Sequence, residues 1–214
     1  MKKVYHRHCF LSYNPLIAKP FWPELIEYVD KNEATLLKTC NSKNIKSAVR
    51  GWIFEELVIM RFQRHDIETS TAIRGLLIPS CKVVEFRTLS GMYNFPALDK
   101  EKKVNRIWVP LSANFAAVDV ILELKGQIWG IQIHTSTHKD VCPKFAELCE
   151  NAGWFKSHER CVHLLYLSPS PTIKDRTKKK KLNTKRDGNI TVSFASVEDF
   201  ECLKGIQWAD HSAT

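Results

Sequence analysis

The stretch Ala117-Val118-Asp119-Val120-Ile121-Leu122-Glu123-Leu124-Lys125-Gly126-Gln127-Ile128-Trp129-Gly130-Ile131-Gln132-Ile133-His134-Thr135 reads as two strands joined by a tight turn. Apolar and β-branched residues fill both arms, and Lys125-Gly126 supplies the turn. Two polar residues interrupt the arms, Asp119 in the first and Gln132 in the second. Pairing across the turn sets them where they can face one another. Side chains two apart share a strand face, so Gln132 and His134 point the same way. A buried carboxylate or amide is costly unless it is paired or bound to a metal. Gln132 also reads as a satisfied core amide.

Working outward, Ile107-Trp108-Val109 is a short strand ended by Pro110, and Lys82 to Arg87 alternates polar and apolar residues. Downstream, Pro143 to Asn151 reads as a helix stopped by Gly153. Cys161 to Leu167 is a continuous apolar run, the pattern of a strand covered on both faces. Ile190 to Ala195 follows as a strand and Val197 to Leu203 as a last helix. The first third is helical. Pro23-Glu24 opens a short helix, and a second spans Asn32 to Thr39. The strongest runs from Asn44 to His65, with Ile45, Val49, Trp52, Ile53, Leu57, Met60 and Phe62 at three- and four-residue steps. Ser42 or Asn44 is its expected cap. This order implies an α/β sandwich with a mixed sheet of four to six strands. Residues 1–42 are expected to form an N-terminal helical extension, and 43–214 the main domain.

The chain has 214 residues, 44% hydrophobic and 26% charged, which excludes collagen-like, wholly disordered and disulfide-scaffold classes. No apolar run reaches the roughly 18 to 20 residues of a membrane span, so no membrane partner is expected. The basic start, Met1-Lys2-Lys3, has no apolar signal core behind it, so secretion by a standard signal is not expected. The seven cysteines are odd in number and none has Cys-x-x-Cys spacing, which speaks for reduced thiols used as small hydrophobes in a cytosolic or nuclear protein. Of the net charge of +9, seven charges come from Lys174 to Arg186, which holds eight basic residues and one acid. Such a segment attracts polyanions with a steep salt dependence. It reads equally as a solvated loop that aids solubility. Lys178, Lys179, Lys180 and Lys181, followed by Lys185 and Arg186, are the candidate nucleic-acid-binding residues. The same cluster is compatible with a nuclear-import signal.

A glutamate on a helix, an aspartate on one hairpin strand and a polar-x-basic triplet on the other together resemble the restriction-endonuclease-like, PD-(D/E)XK, superfamily. Gly51-Trp52-Ile53-Phe54-Glu55 is similar to its G-x-x-F-E helix motif. Trp108-Val109-Pro110-Leu111-Ser112-Ala113-Asn114-Phe115-Ala116-Ala117-Val118-Asp119 resembles a V-P-x-x-x-N-F-P-A-[IV]-D strand entry. Gln132-Ile133-His134-Thr135-Ser136-Thr137-His138 resembles a glutamine strand followed by a histidine. These features are similar to the nuclease-like C-terminal domains of Crinkler effectors and retrotransposon-hot-spot proteins. The resemblance covers about Gly51 to Leu167.

The resemblance implies a restriction-endonuclease-like α/β/α sandwich and metal-dependent hydrolysis of nucleic-acid phosphodiesters. Asp119 is then the central ligand of Mg²⁺ or Mn²⁺. Gln132 replaces the usual second carboxylate with a neutral carbonyl oxygen, and the Ile133 main-chain carbonyl completes the set. Glu55 binds a second metal or positions a water, though the neighbouring Glu56 competes for that role. His134 stands in the family's lysine position as base or water orienter, and His138 contacts the scissile phosphate or aids His134. His134 and His138 also read as ordinary sheet and loop histidines. The basic loop at 174–186 holds the phosphate backbone, with DNA ahead of RNA by analogy with the superfamily. A homodimer and a host nuclear protein are further partner classes, and an effector origin and nuclear location are implied. Fewer carboxylates mean weaker Mg²⁺ binding, which keeps a second reading open: the same fold acting as a binding module without cleavage.

Overall fold

A computed structural model of the chain describes residues 32–42, 44, 47–68, 82–83, 85–89, 104–110, 117–133, 143–156, 161–169, 181–183 and 189–207. The helix expected at Pro23-Glu24 lies outside them. Helix α1 covers residues 32–40, α2 Ser47–Arg64 and α3 Pro143–Asn151. The strands are β1 (Glu85–Leu89), β2 (Arg106–Pro110), β3 (Val120–Leu124), β4 (Gln127–Ile133), β5 (Val162–Ser168), β6 (Lys181–Asn183) and β7 (Asn189–Ser196).

All seven strands join one mixed sheet, in the order β1-β2-β3-β4-β5-β7-β6. Strands β2, β3 and β4 form an antiparallel meander, while β4, β5 and β7 run parallel. The expected hairpin is present. Lys125 and Gly126 both take positive φ, 48° and 79°, the conformation that matches a two-residue turn to the twist of its strands. Six strands match expected ones with shifted ends. The seventh, β6, lies within the basic segment that was expected to be a loop. Its three residues, Lys181-Leu182-Asn183, are too short a run to mark a strand, and antiparallel pairing with β7 makes them one, Lys181 opposite Thr191 and Asn183 opposite Asn189.

The alternation of side chains along these strands divides the core into two layers. Val120, Leu122 and Leu124 of β3 and Trp129, Ile131 and Ile133 of β4 pack with Phe54, Leu57, Val58, Met60 and Phe62 of α2. On the opposite face Ile121, Ile128, Leu164, Tyr166 and Val192 pack with Phe145, Leu148 and Cys149 of α3. The described residues thus form an α/β sandwich with a helix on each face. Gly130 permits the second layer. A Cβ there would sit 2.3 Å from Cε2 of Phe145 and 2.9 Å from a Val118 methyl, so the absent side chain lets α3 lie close on the sheet.

Helix α1 belongs to the α2 layer. Cys40 is buried in that core, and Leu36 and Leu37 pack against it. Arg50 is fully buried and donates to the Cys40 carbonyl at 2.8 Å, satisfying an orphan acceptor at the end of α1. Helix α2 begins at Ser47 rather than Asn44. Upstream of it the Ser42 hydroxyl accepts from the Asn44 N–H at 3.3 Å, a local bond that favours a turn over a helix interior.

The expected last helix, Val197 to Leu203, is instead two 3₁₀ turns, Val197–Asp199 and Glu201–Leu203. Phe200 between them is extended, with φ −117° and ψ 122°. The Asp199 carboxylate accepts from the Ser196 N–H at 2.8 Å, a capping box that starts the first turn. Tertiary contacts beyond that turn override the helix pattern. Phe200 packs edge-on against Phe62 at 5.2 Å, while the Glu201 N–H donates to the Glu68 carbonyl at 2.9 Å. Among the described residues no helix is long and apolar enough to cross a membrane.

Candidate active site

Asp119 stands at the open end of the β3–β4 hairpin, and the backbone there departs from a plain ladder. Val120 is the register partner of Ile131, yet the Asp119 N–H also donates to the Ile131 carbonyl, at 2.9 Å. Two residues on one strand therefore oppose one on the other, which is a β-bulge. The packing carries the same mark. Val118 belongs to the α3-side core and Val120 to the α2-side core, although residues two apart on an unbroken strand share a face. The extra residue re-aims Asp119, a device common beside active sites. The Asp119 carboxylate is pinned across the hairpin by Ile133, whose N–H donates to Oδ2 at 2.7 Å.

Gln132 lies abreast of this bulge on β4. Gly130, two residues earlier, sits under Phe145, so Gln132 projects from the α3 face of the sheet. It is 8% exposed, and its Oε1 is buried without a hydrogen-bond donor. A buried acceptor left in that state carries an uncompensated desolvation cost, on the order of 1–3 kcal/mol. Tyr166 is its register partner on β5 and is itself stacked on Phe194, with ring centres 5.1 Å apart. Tyr166 was not a candidate in the sequence, because only strand register brings it beside Gln132.

Glu55 is half-buried on α2, as is Glu56, and each turns one carboxylate oxygen out of solvent. Burial therefore does not separate the two. His134 and His138 lie outside the described residues, as do Lys178, Lys179, Lys180, Lys185 and Arg186. Lys181 opens β6, which is separated from β4 by β5 and β7. Among the described residues, no three His, Cys, Asp or Glu side chains gather as a metal-ligand group.

Of the described cysteines, Cys40 and Cys149 are buried as expected of small hydrophobes, whereas Cys161 is exposed and Cys202 half-buried. Burial raises the Cys40 thiol to about 11, against the lowering effect of Arg50, and it pushes Cys149 well above the usual range. Both are protonated packing residues at neutral pH. His163 lies face to face on Trp129, with ring centres 4.0 Å apart, and burial lowers its pKa to about 4. Trp108, Trp129 and Trp154 are buried core residues. Glu123 is 3% exposed and pairs across the strands with Arg106 at 3.4 Å, a contact that register alone creates.

Comparison of the chain with family models, with curated proteins and with solved structures finds no match.

Proposed function

We propose that this chain is a divalent-metal-dependent nuclease of the PD-(D/E)XK kind, hydrolysing nucleic-acid phosphodiesters, with DNA the favoured substrate. One observation carries the reading: the carboxylate of Asp119, at a bulge, is held by the N–H of Ile133, the residue after Gln132, whose buried Oε1 has no donor. A cation held there satisfies that oxygen, because a buried acceptor without a hydrogen is well matched to a positive charge. The residues present fit a hard cation with oxygen ligands, Mg²⁺ or Mn²⁺. Asp119 supplies the charged oxygen, Gln132 the amide oxygen and Ile133 a main-chain carbonyl. The resemblance gives Glu55 a second ion or a water, although α2, which carries it, packs on the face of the sheet opposite Gln132.

Held by Asp119, Gln132 and the Ile133 carbonyl, a divalent metal would supply a lowered pKa for the attacking water and a counter-charge for the phosphate. The protein's own part is positional. The Ile133 N–H fixes the Asp119 carboxylate, and the α3-side packing of β4 fixes Gln132. By the resemblance, His134, next in sequence after β4, would act as base or water orienter, and His138 would contact the scissile phosphate or aid His134. The basic segment holds the backbone electrostatically and serves as a nuclear-import signal.

The second reading is a nucleic-acid or host-protein binding module with no cleavage. The amide at Gln132 favours it, because one charge fewer weakens Mg²⁺ binding. Cleavage of single- and double-stranded DNA and RNA with Mg²⁺, Mn²⁺ or EDTA separates the two. The expected result is metal-dependent cutting, abolished by EDTA and lowered at least 100-fold, roughly, by Asp119→Ala. Salt-sensitive binding without cutting, unchanged in Asp119→Ala, assigns the module instead.

A further inference from the structure

Helix α3 lies on the return path between two parallel neighbours. Strands β4 and β5 are adjacent and parallel, so the chain that joins them passes from the end of β4 back to the start of β5. A helix on that path runs against the strands, with its N-terminus toward the strand ends where Asp119 and Gln132 lie. Phe145, in the first turn of α3, marks the level: its ring lies over Gly130, two residues before Gln132 on the same face. Two strand residues span about 6.6 Å, and α3 extends about 3 Å beyond Phe145. About 4 Å along the strand direction therefore separates the start of α3 from Gln132. The Gln132 side chain, 8% exposed and with no donor on Oε1, rises on the α3 face into that space.

The first turn of α3 breaks a charge rule. A helix N-terminus carries positive partial charge and favours acids, yet this turn holds no acid and does hold Lys144, which is exposed. Among the described residues, the Lys144 ammonium has no ion pair, and the N–H groups of Lys144 and Phe145 meet no acceptor. Such a turn is unfavourable alone and favourable around an anion. We propose that the first turn of α3 is a phosphate site: the N–H groups of Lys144 and Phe145, with the Lys144 ammonium, hold a phosphodiester beside the cation site at Asp119 and Gln132. This rests on the nuclease reading for the identity of the anion. Cation and phosphate then sit side by side, each offsetting the other's charge, outside the carboxyl ends of parallel strands. The helix supplies donors that the oxygens of Asp119 and Gln132 cannot offer.

The test titrates inorganic phosphate into the metal-free protein and follows the backbone amides by NMR. The amides of Lys144 and Phe145 are expected to shift most. In Lys144→Ala the phosphate affinity falls roughly tenfold, and in Lys144→Arg it is kept. Lys144→Glu abolishes phosphate binding, yet its urea midpoint rises, because an acid in the first turn complements the dipole that lysine opposes. A lysine that only stabilised the fold would not move these two readouts in opposite directions. With Mn²⁺ and a DNA duplex, kcat/KM falls roughly tenfold in Lys144→Ala and recovers in Lys144→Arg. Phosphate that shifts no amide in the first turn of α3, or an affinity unmoved by Lys144→Glu, overturns this inference and leaves the nuclease reading to Asp119→Ala. Phosphate bound at α3 by a protein that cuts neither DNA nor RNA supports the anion site and overturns the nuclease reading.

Discussion

On the nuclease reading proposed above, Gln132 would set how tightly the site holds a cation. An amide oxygen offers a hard ion partial charge, whereas a carboxylate offers a full one. Replacing Gln132 by Glu keeps the side chain's length and adds that charge. The expected outcome is a lower Mn²⁺ requirement for cleavage, by about tenfold, as about 1–2 kcal/mol of added attraction implies. A metal titration of activity checks it, and an unchanged midpoint would remove Gln132 from the ligand set. Asp119 is the second residue on which the site turns, and its setting is backbone-made. The bulge and the Ile133 N–H together hold its carboxylate at the hairpin end. Its identity as an odd polar residue was visible in the apolar strand, but the bulge was not, because nothing in Val118-Asp119-Val120 breaks the alternation by composition.

At the scale of elements, β4 is held from both sides. Trp129, Ile131 and Ile133 face α2, while Ile128, Gly130 and Gln132 face α3. Gly130 is where α3 comes closest. Gly130→Ala inserts a methyl where Phe145 already lies, so the helix must shift or the ring must turn. The expected cost is about 1–3 kcal/mol, read as a lower urea midpoint with little change in m-value. Cation affinity should fall with it, since Gln132 is two residues along the same face. Strand β6 follows a different rule. It borrows its structure from β7, and a lysine on an edge strand also discourages pairing with other chains.

For the whole molecule, the clearest pH dependence comes from His163. Stacked on Trp129 and buried, it takes a proton only near pH 4, while the same residue in an unfolded chain does so near 6.5. Between these values the unfolded state binds the extra proton. This contribution to stability is therefore complete above about pH 6.5 and is lost as pH falls toward 4, at up to about 1.4 kcal/mol per pH unit. Urea unfolding at pH 7 and pH 5 measures it. His163→Phe keeps a ring on Trp129 and should flatten the difference between the two pH values. A variant whose pH slope equals that of wild type would show that other groups carry it.

The amino-acid sequence by itself determined the α/β class, the hairpin, the three described helices and six strands, because each rests on local periodicity or a turn that neighbouring residues dictate. It also singled out Asp119 and Gln132, since polar residues in apolar strands stand out without any partner being known. Tertiary structure alone decided the rest. The order of strands, the β-bulge, the close approach over Gly130 and the meeting of Gln132 with Tyr166 are all set by pairing between distant segments. The two 3₁₀ turns at the end of the chain, where a helix pattern is written, have the same origin. Phe200 gains more from packing on Phe62 than a short helix gains from its own hydrogen bonds, and the Glu201 N–H turns to the Glu68 carbonyl. Local pattern is a sum over neighbours in sequence, and these contacts join residues that only the folded sheet makes neighbours.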